Sequence, residues 1–506
     1  MAALKIELGQ LVGELGGRLE RGPGPLRGGI ERGPGPLLGG IELDSRRVAP
    51  GVLFAALAGT RDDGARHVGE ALSRGAAAVL ARAPLDVPVP GWWHPEARRV
   101  TGEAAAMFAG HPSRHLTVLA VTGTNGKSTV AHLAEHLLRA AGRRPAFLGT
   151  TGYRLHGETL PATHTTPDAV QLQRLLGRHL ALGGDSVAME ASSHALDQER
   201  LAGMELDVAV FTNLTRDHLD YHRDMESYAA AKEQLFHRLS SGSTAVLPAG
   251  DPHTPRFAAV AETKGARVVT YGIGSRADLS ATRLSVVPGG IHLALEGMGI
   301  STSLFLPLVG RHNAENALAA LAAVLVTGAS PSALRDGLAA ASLPPGRLEA
   351  VPGEGAPFRV YVDYAHTPHA LETALGALRA ELEAAGRGRL LCVFGCGGDR
   401  DPGKRPQMGA VVARLADLAF VTSDNPRSED PAAIVAAVVA GMAAERGHGA
   451  MYRVEVDRRA AIHAALREAK AGDVVLIAGK GHECEQIIGT TRIPFDDRLV
   501  AAEVLL

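Results

Sequence analysis

The sequence predicts an α/β protein of three domains, with parallel sheets in at least the second and third. Three observations lead there. The chain has 506 residues and is 46% hydrophobic, too long for one core and too apolar for disorder. Strand-like apolar runs at 118–122, 186–191 and 208–212 end in polar residues and alternate with helical patterns. A second alternation begins near residue 345, with strand-like runs at 358–362, 390–394, 418–422 and 474–478. Strands that alternate with helices imply parallel sheets, which bind ligands at the strand carboxyl ends. Domains are therefore expected at 1–111, 112–344 and 345–506. The first mixes short strands with Gly/Pro turns and closes on a helix-like stretch at 103–109. The third is expected to be Rossmann-like. Its glycine runs lack GxGxxG, so no nicotinamide cofactor is expected.

The most informative stretch is TVLAVTGTNGKSTV, residues 117–130. A β-branched run stops at Gly123. The turn Gly123-Thr124-Asn125-Gly126-Lys127-Ser128 follows. Apolar residues then recur at Val130, Leu133, Ala134, Leu137 and Leu138, one stripe of a helix. This layout cradles phosphate. Backbone N–H groups and the helix N-terminus face the anion, Lys127 reaches the distal phosphates and the Ser128 hydroxyl serves Mg²⁺. The spacing is unusual, because Val121 stands where the common pattern has its first glycine. A nucleoside triphosphate is expected as a ligand.

Composition narrows the remaining classes. The formal net charge is −2, so no global field recruits nucleic acid or an anionic membrane. The longest apolar runs, such as 432–444, are shorter than a bilayer span. The N-terminus has no signal-peptide layout. Cys392, Cys396 and Cys484 form neither a disulfide framework nor a metal set. A cytoplasmic monomer is expected. Residues 20–30, ERGPGPLRGGI, are repeated at once as 31–41, ERGPGPLLGGI. Two copies build no solenoid, and their Gly/Pro content predicts an exposed loop extension.

Other residues carry chemistry. Glu190 ends the run SVAME and is expected to face the phosphate loop, where a carboxylate suits Mg²⁺. The segment TNLTRDHLDYH, 212–222, offers Asn213, Asp217, His218, Asp220 and His222. His218 and His222 have zinc-like spacing, but no HExxH and no nearby cysteine accompany them. The plain reading of His222 is a structural histidine. Lys232, taken alone, reads as a surface lysine on a helix. Asn313 and Asn316 read as caps of an Ala-rich helix.

Taken together, TGTNGKST, MEASSHAL, FTNLTRDHLDYH and YAAAK resemble the central domain of the Mur ligase family. LDSR, LVGRHNAENALAA, PPGRLE, VDYAHTP, FGCGGDRDPGKRP, DNPR, AGKGHE and FDDR extend the resemblance from about residue 43 to 498. The resemblance implies a three-domain ligase with a central ATP-binding domain and a C-terminal Rossmann-like domain. It is strongest to members that add meso-diaminopimelate to UDP-N-acetylmuramoyl-L-alanyl-D-glutamate, a step of peptidoglycan and cell-wall synthesis linked to cell shape and division. Such a ligase uses ATP and Mg²⁺ and passes through an acyl phosphate. L-lysine or L-ornithine is the alternative acceptor.

The resemblance also implies roles for residues. Glu190 and His218 each help hold a Mg²⁺, and Lys232 becomes a carbamate. Carbamate formation needs a neutral amine, so burial or nearby positive charge must lower the Lys232 pKa. Asn313 and Asn316 lie near adenine, and Arg347 and Asp363 reach ATP. Leu43 and Ser45 contact the UDP-sugar, with Thr60, Arg61 and Asp62 in the next contact segment. Thr165, Thr166, Ser192, Gln198 and Arg200 contact the muramoyl dipeptide; His164 stands where asparagine is frequent. Arg400, Asp424, Asn425, Pro426, Arg427, Gly479 and Glu483 form the diaminopimelate site. The physical logic favours that acceptor, since a guanidinium pairs bidentately with a distal carboxylate that lysine and ornithine lack. His366 in DYAHTP is a candidate general base; a structural histidine fits it equally.

Overall fold

The computed structural model describes residues 4–20, 35–59, 62–353, 355–445 and 451–505. The chain forms two compact units, residues 1–270 with 319–330 and residues 271–318 with 331–506.

Among the described residues, the first unit carries two larger sheets and a two-stranded one, Ile6–Glu7 with Leu37–Leu38. One of the larger two has the strand order Arg18–Glu20, Gly91–Trp93, Ala78–Ala81, Leu53–Ala56, Ile41–Glu42. Helix Ala97–Phe108 buries Val100, Ala104 and Ala105 against this sheet's core. The second sheet has a parallel centre in the order Pro145–Gly149, Ser186–Glu190, Thr117–Thr122, Val208–Phe211, Thr244–Pro248. These strands are almost wholly buried, as expected when both faces are covered. Thr117–Thr122 is the central strand of this group, and the two strands beside it, Ser186–Glu190 and Val208–Phe211, both follow it in the chain. The phosphate loop sits at its carboxyl end, where parallel sheets bind ligands.

The second unit begins with an antiparallel meander, Leu279–Val287, Gly290–Gly297 and Ile300–Leu306. Its other sheet has the order Glu349–Ala350, Arg359–Asp363, Val474–Ala478, Leu390–Phe394, Leu418–Val421, Met451–Val454. All but the first strand run parallel, which is the expected Rossmann-like layout.

The duplicated segment departs from the expectation of a loop. Residues 21–34 lie outside the described residues, but the end of the second copy is structured. Leu37–Leu38 pairs with Ile6–Glu7, Leu38 is fully buried and Ile41 is nearly so. The apolar residues behind the Gly/Pro stretch have joined the core of the first sheet.

Candidate active site

The phosphate loop is built by backbone strain that glycine relieves. Gly123 and Gly126 both have positive φ. A Cβ on Gly123 would come within 1.8 Å of Thr212 Oγ1, so the neighbouring strand can approach only because no side chain is there. Thr212 Oγ1 donates to the Asn125 carbonyl at 2.6 Å, and Asn125 N donates to Asn213 Oδ1 at 3.0 Å. Thr124 Oγ1 donates to the Thr215 carbonyl. The loop is thus pinned to the segment after Val208–Phe211. Helix Lys127–Ala140 starts directly behind it.

Lys127 Nζ donates to the carbonyls of Gly123 at 3.0 Å and Thr124 at 2.8 Å. Lys232, on helix Met225–His237, is 1% exposed and donates to the same Gly123 carbonyl at 2.7 Å. Its Nζ lies 4.3 Å from the Tyr228 ring centroid. Burial, then the charge of Lys127, holds its pKa well below the ordinary lysine value. The plain surface-lysine reading is therefore replaced by a buried amine poised to be neutral.

Glu190 joins two groups of residues. Its Oε2 accepts from Ser128 Oγ at 2.9 Å, on the phosphate side. Its Oε1 accepts from Thr150 N at 2.8 Å, and Thr150 Oγ1 lies 3.1 Å from Thr165 Oγ1. Its backbone carbonyl accepts from Thr166 Oγ1 at 2.8 Å. Ser192 N donates to Thr166 Oγ1, and Arg200 Nη1 donates to the Thr166 carbonyl. Arg200 also grips Gln198 Oε1 through Nε and Nη2. Thr165, Thr166, Ser192, Gln198 and Arg200 therefore form one network that meets Ser128 at Glu190. The His164 carbonyl accepts from Tyr153 OH and its N–H donates to the same hydroxyl, while burial, then the charge of Arg200, lowers the pKa of its ring.

His218 has left-handed backbone, φ 52°, and a part-exposed ring. Its pKa is lowered by burial first, with Lys127 and Lys232 adding to the effect. His222 is buried, with Nε2 2.9 Å from Ser193 Oγ, which is the structural role its plain reading expects. Among the described residues, no group of three or more His, Cys, Asp or Glu is placed to hold a metal.

Sequence reasoning passed over His194. Its ring lies 4.9 Å from that of His218, 5.4 Å from His222 and 4.2 Å from Tyr221. The signal was its place in ASSHAL, directly behind Glu190. Arg174 was also missed. It donates to Glu42 Oε2 and to the Ile41 carbonyl, beside Leu43. Leu43 N donates to Glu42 Oε1 at 3.2 Å, and Ser45 Oγ donates to Glu70 Oε2 at 2.7 Å. Asp62 accepts from His67 Nε2, while Thr60 and Arg61 lie outside the described residues.

In the second unit, Asn313 lies inside helix Arg311–Leu325 and Nδ2 donates back to the Val309 carbonyl. Asn316 Nδ2 donates to Asn313 Oδ1. Neither side chain accepts from a helix N–H in these bonds, so the capping reading is replaced by a pair of buried, mutually oriented amides. Asp363 accepts from Leu348 N at 2.7 Å and Ala365 N at 2.8 Å, and burial raises its pKa. Arg347 lies over the Tyr364 ring, 5.2 Å from its centroid. His366 Nδ1 faces the Tyr364 carbonyl at 2.8 Å, which assigns the proton to Nδ1 and leaves Nε2 as the basic nitrogen.

The parallel strands of this unit bring the remaining set together. Arg427, φ 51°, donates through Nη1 to the Gly398 carbonyl at 2.6 Å. Arg427 N donates to the Ile487 carbonyl, which ties Asp424-Asn425-Pro426-Arg427 to hairpin Glu485–Ile488 and Thr491–Pro494. Asn425 Nδ2 donates to Glu483 Oε2 at 2.8 Å. Gly479, φ 119°, passes so close to Asp424 that a Cβ would sit 2.5 Å from its Oδ2. Arg400 lies in the same neighbourhood, its Cγ within 3.9 Å of the place a Cβ on Gly397 would take.

Comparison with known proteins places the chain in a family. The Mur ligase middle domain matches residues 121–324, the Mur ligase glutamate ligase domain residues 346–481, and the Mur ligase family catalytic domain residues 38–119. The UDP-N-acetylmuramoyl-L-alanyl-D-glutamate–2,6-diaminopimelate ligase of Chromobacterium violaceum is 46% identical, over 91% of this chain and 93% of its own. The enzyme of the same name from Gloeobacter violaceus is 46% identical, over 91% and 92%. A solved structure of a ligase with that name superposes with a TM-score of 0.74, 34% identity and 99% of each chain covered. MurF of Acinetobacter baumannii, 18% identical with a TM-score of 0.63 over the full length of both chains, shares the fold. The chain belongs to the Mur ligase family and is an ATP-dependent, amide-forming ligase.

Proposed function

We propose that this chain joins meso-diaminopimelate to UDP-N-acetylmuramoyl-L-alanyl-D-glutamate, driven by ATP, in peptidoglycan precursor synthesis. The observation that carries the reading is the double engagement of Glu190. Its carboxylate meets Ser128 of the phosphate loop, and its backbone meets Thr166 of the dipeptide set. A phosphoryl donor and a carboxylate acceptor bound to those two groups are held side by side, which supplies the proximity that phosphoryl transfer requires.

The γ-phosphoryl passes from ATP to the substrate carboxylate and gives an acyl phosphate and ADP. The acceptor amine attacks the acyl carbon, phosphate leaves, and the amine gives up a proton as the amide forms. Loop N–H groups and Lys127 bind the phosphates. Arg200, fixed by Thr166 and Gln198, carries the charge that suits a carboxylate substrate. His366 Nε2 is the basic nitrogen that suits the amine proton. Arg427 and Glu483 offer opposite charges to the distal carboxylate and ammonium of diaminopimelate.

Mg²⁺ fits the donor set. Ser128 Oγ and Glu190 Oε2 are hard oxygen donors 2.9 Å apart, and a carbamate on Lys232 would add two more. His218 is the remaining donor. The ion would neutralise charge on the phosphates.

The test is direct. Protein, ATP and the UDP-linked dipeptide are incubated with meso-diaminopimelate, L-lysine or L-ornithine in turn. ADP release and product mass are read. Turnover with diaminopimelate well above the others is expected; preference for lysine or ornithine overturns the acceptor assignment.

A further inference from the structure

The motif AGKGHE contains a lysine with no role in the reaction above. Lys480 is 0% exposed, although its neighbours Gly479 and Glu483 belong to the candidate acceptor site. A buried ammonium needs partners, and three are present. Nζ lies 3.2 Å from Asn425 Oδ1 and 3.2 Å from Glu483 Oε2, and it also donates to the Glu485 carbonyl. Two of the three are acceptor-site side chains.

The orientation of Asn425 follows from a donor that cannot turn. Ile487 N, a backbone N–H, lies 2.9 Å from Asn425 Oδ1. That atom must be the amide oxygen, and Lys480 adds a second donor to it. Nδ2 then points the other way and donates to Glu483 Oε2 at 2.8 Å. Oε2 thus receives two donors, one from Asn425 and one from Lys480. Both of these bonds reach Glu483 through the one oxygen, Oε2.

We infer that Lys480 is a positioning residue of the acceptor-amino-acid site, locking Asn425 and Glu483 so that the Glu483 carboxylate receives the distal ammonium of the acceptor. This rests on the proposed function, which places Asn425 and Glu483 at that site. Lys480 is fully buried and acts through these two side chains rather than on the substrate itself. An ammonium-bearing acceptor is held by a carboxylate whose own rotation is frozen, so less entropy is lost on binding.

The experiment measures KM for ATP, for the UDP-linked dipeptide and for whichever acceptor the wild type uses, in wild type, Lys480→Met and Lys480→Gln, with a thermal melt of each. Methionine keeps the unbranched apolar stem but brings no donor. Glutamine keeps an N–H donor for Asn425 without the charge, and supplies a folded variant should methionine unfold the domain. The expected result is a rise in acceptor KM of about tenfold or more, with the other two KM values within about twofold of wild type. A folded variant with unchanged acceptor KM, or one whose three KM values rise together, overturns the inference. A wild type that turns over lysine rather than diaminopimelate fails the proposed function instead, and the Lys480 comparison is then read on lysine.

Discussion

Lys127 and Lys232 donate to one oxygen, the carbonyl of Gly123, at 3.0 and 2.7 Å. Two ammonium groups converging on one neutral acceptor repel each other, and Lys232 is the buried one. The repulsion is relieved if Lys232 is neutral, and a neutral amine adds carbon dioxide. Intact mass should therefore show one carbon dioxide retained at Lys232 in bicarbonate buffer. Lys232→Ala should lose about 100-fold or more in turnover and be partly rescued by acetate or formate, which refill the hole with an anion. An unmodified Lys232 in a fully active enzyme would count against the carbamate.

The two copies of the duplicated segment should not be interchangeable. Leu38 of the second copy is fully buried, and its counterpart in the first copy is Arg27. Deleting residues 31–41 places that arginine in sequence where Leu38 stood, ahead of the same downstream strand. The expected cost is about 2 kcal/mol or more, for a lost buried leucine and an inserted charge. Deleting 21–31 keeps the leucine and should change stability little, since loop-length effects are about 0.6 kcal/mol per doubling. Thermal melts of the two deletions decide; equal melting points would show that Leu38 is dispensable.

This contrast also marks how far the sequence could be read. The parallel strands were legible because β-branched runs buried on both faces leave no polar alternation to confuse them, as in Thr117–Thr122. The phosphate loop was legible because Gly123 and Lys127 act through backbone shape and charge that few other residues supply. Strand Leu37–Leu38 was hidden by the Gly/Pro residues around it, which signal turns whatever follows them. The meander of Leu279–Val287, Gly290–Gly297 and Ile300–Leu306 was marked only by the turn glycines Gly289, Gly290, Gly297 and Gly299, with exposed polar residues diluting its apolar face. Lys480 was illegible for another reason. A buried lysine looks like a surface one until its partners, distant in sequence, are known.

His312 should make stability fall on the acid side. Burial lowers its pKa from 6.5 to about 4. The unfolded chain then binds more protons than the native state between those values, so stability rises with pH across that window. The contribution is fully present above pH 6.5 and is lost as pH falls toward 4. His312→Gln cannot titrate and should show a shallower decline, the two curves converging or crossing by about 1 to 3 kcal/mol between pH 7 and pH 4. Parallel curves in denaturant titrations at each pH would remove His312 as the cause.

Arg458 and Asp497 form a fully buried pair, with Nη2 2.6 Å and Nε 2.8 Å from the carboxylate oxygens. Arg458 Nη2 also donates to the Ala478 carbonyl, one residue before Gly479. Removing one partner strands a buried charge, so Arg458→Met or Asp497→Leu should each cost about 3–5 kcal/mol. The double variant strands none and should recover most of that loss. A double variant as unstable as the sum of the singles would mean that the carbonyl contact, rather than the pair, dominates.

Arg427 should decide the acceptor. Its backbone is left-handed, φ 51°, and its N–H and carbonyl are both bound, to Ile487 and Gly489. This strain is held by the hairpin, and the guanidinium donates to the Gly398 carbonyl at 2.6 Å. A charge-assisted bond to the distal carboxylate contributes roughly 1.5–3 kcal/mol net. Arg427→Ala should therefore lower kcat/KM for diaminopimelate about 10- to 150-fold, at 1.4 kcal/mol per tenfold. Turnover with lysine lacks that carboxylate and should start poor and change little. Arg427→Lys keeps charge but not the planar fork, and should recover only part of the loss. Specificity then collapses from the diaminopimelate side alone. Equal losses with both amino acids would show that Arg427 shapes the site without reading the carboxylate.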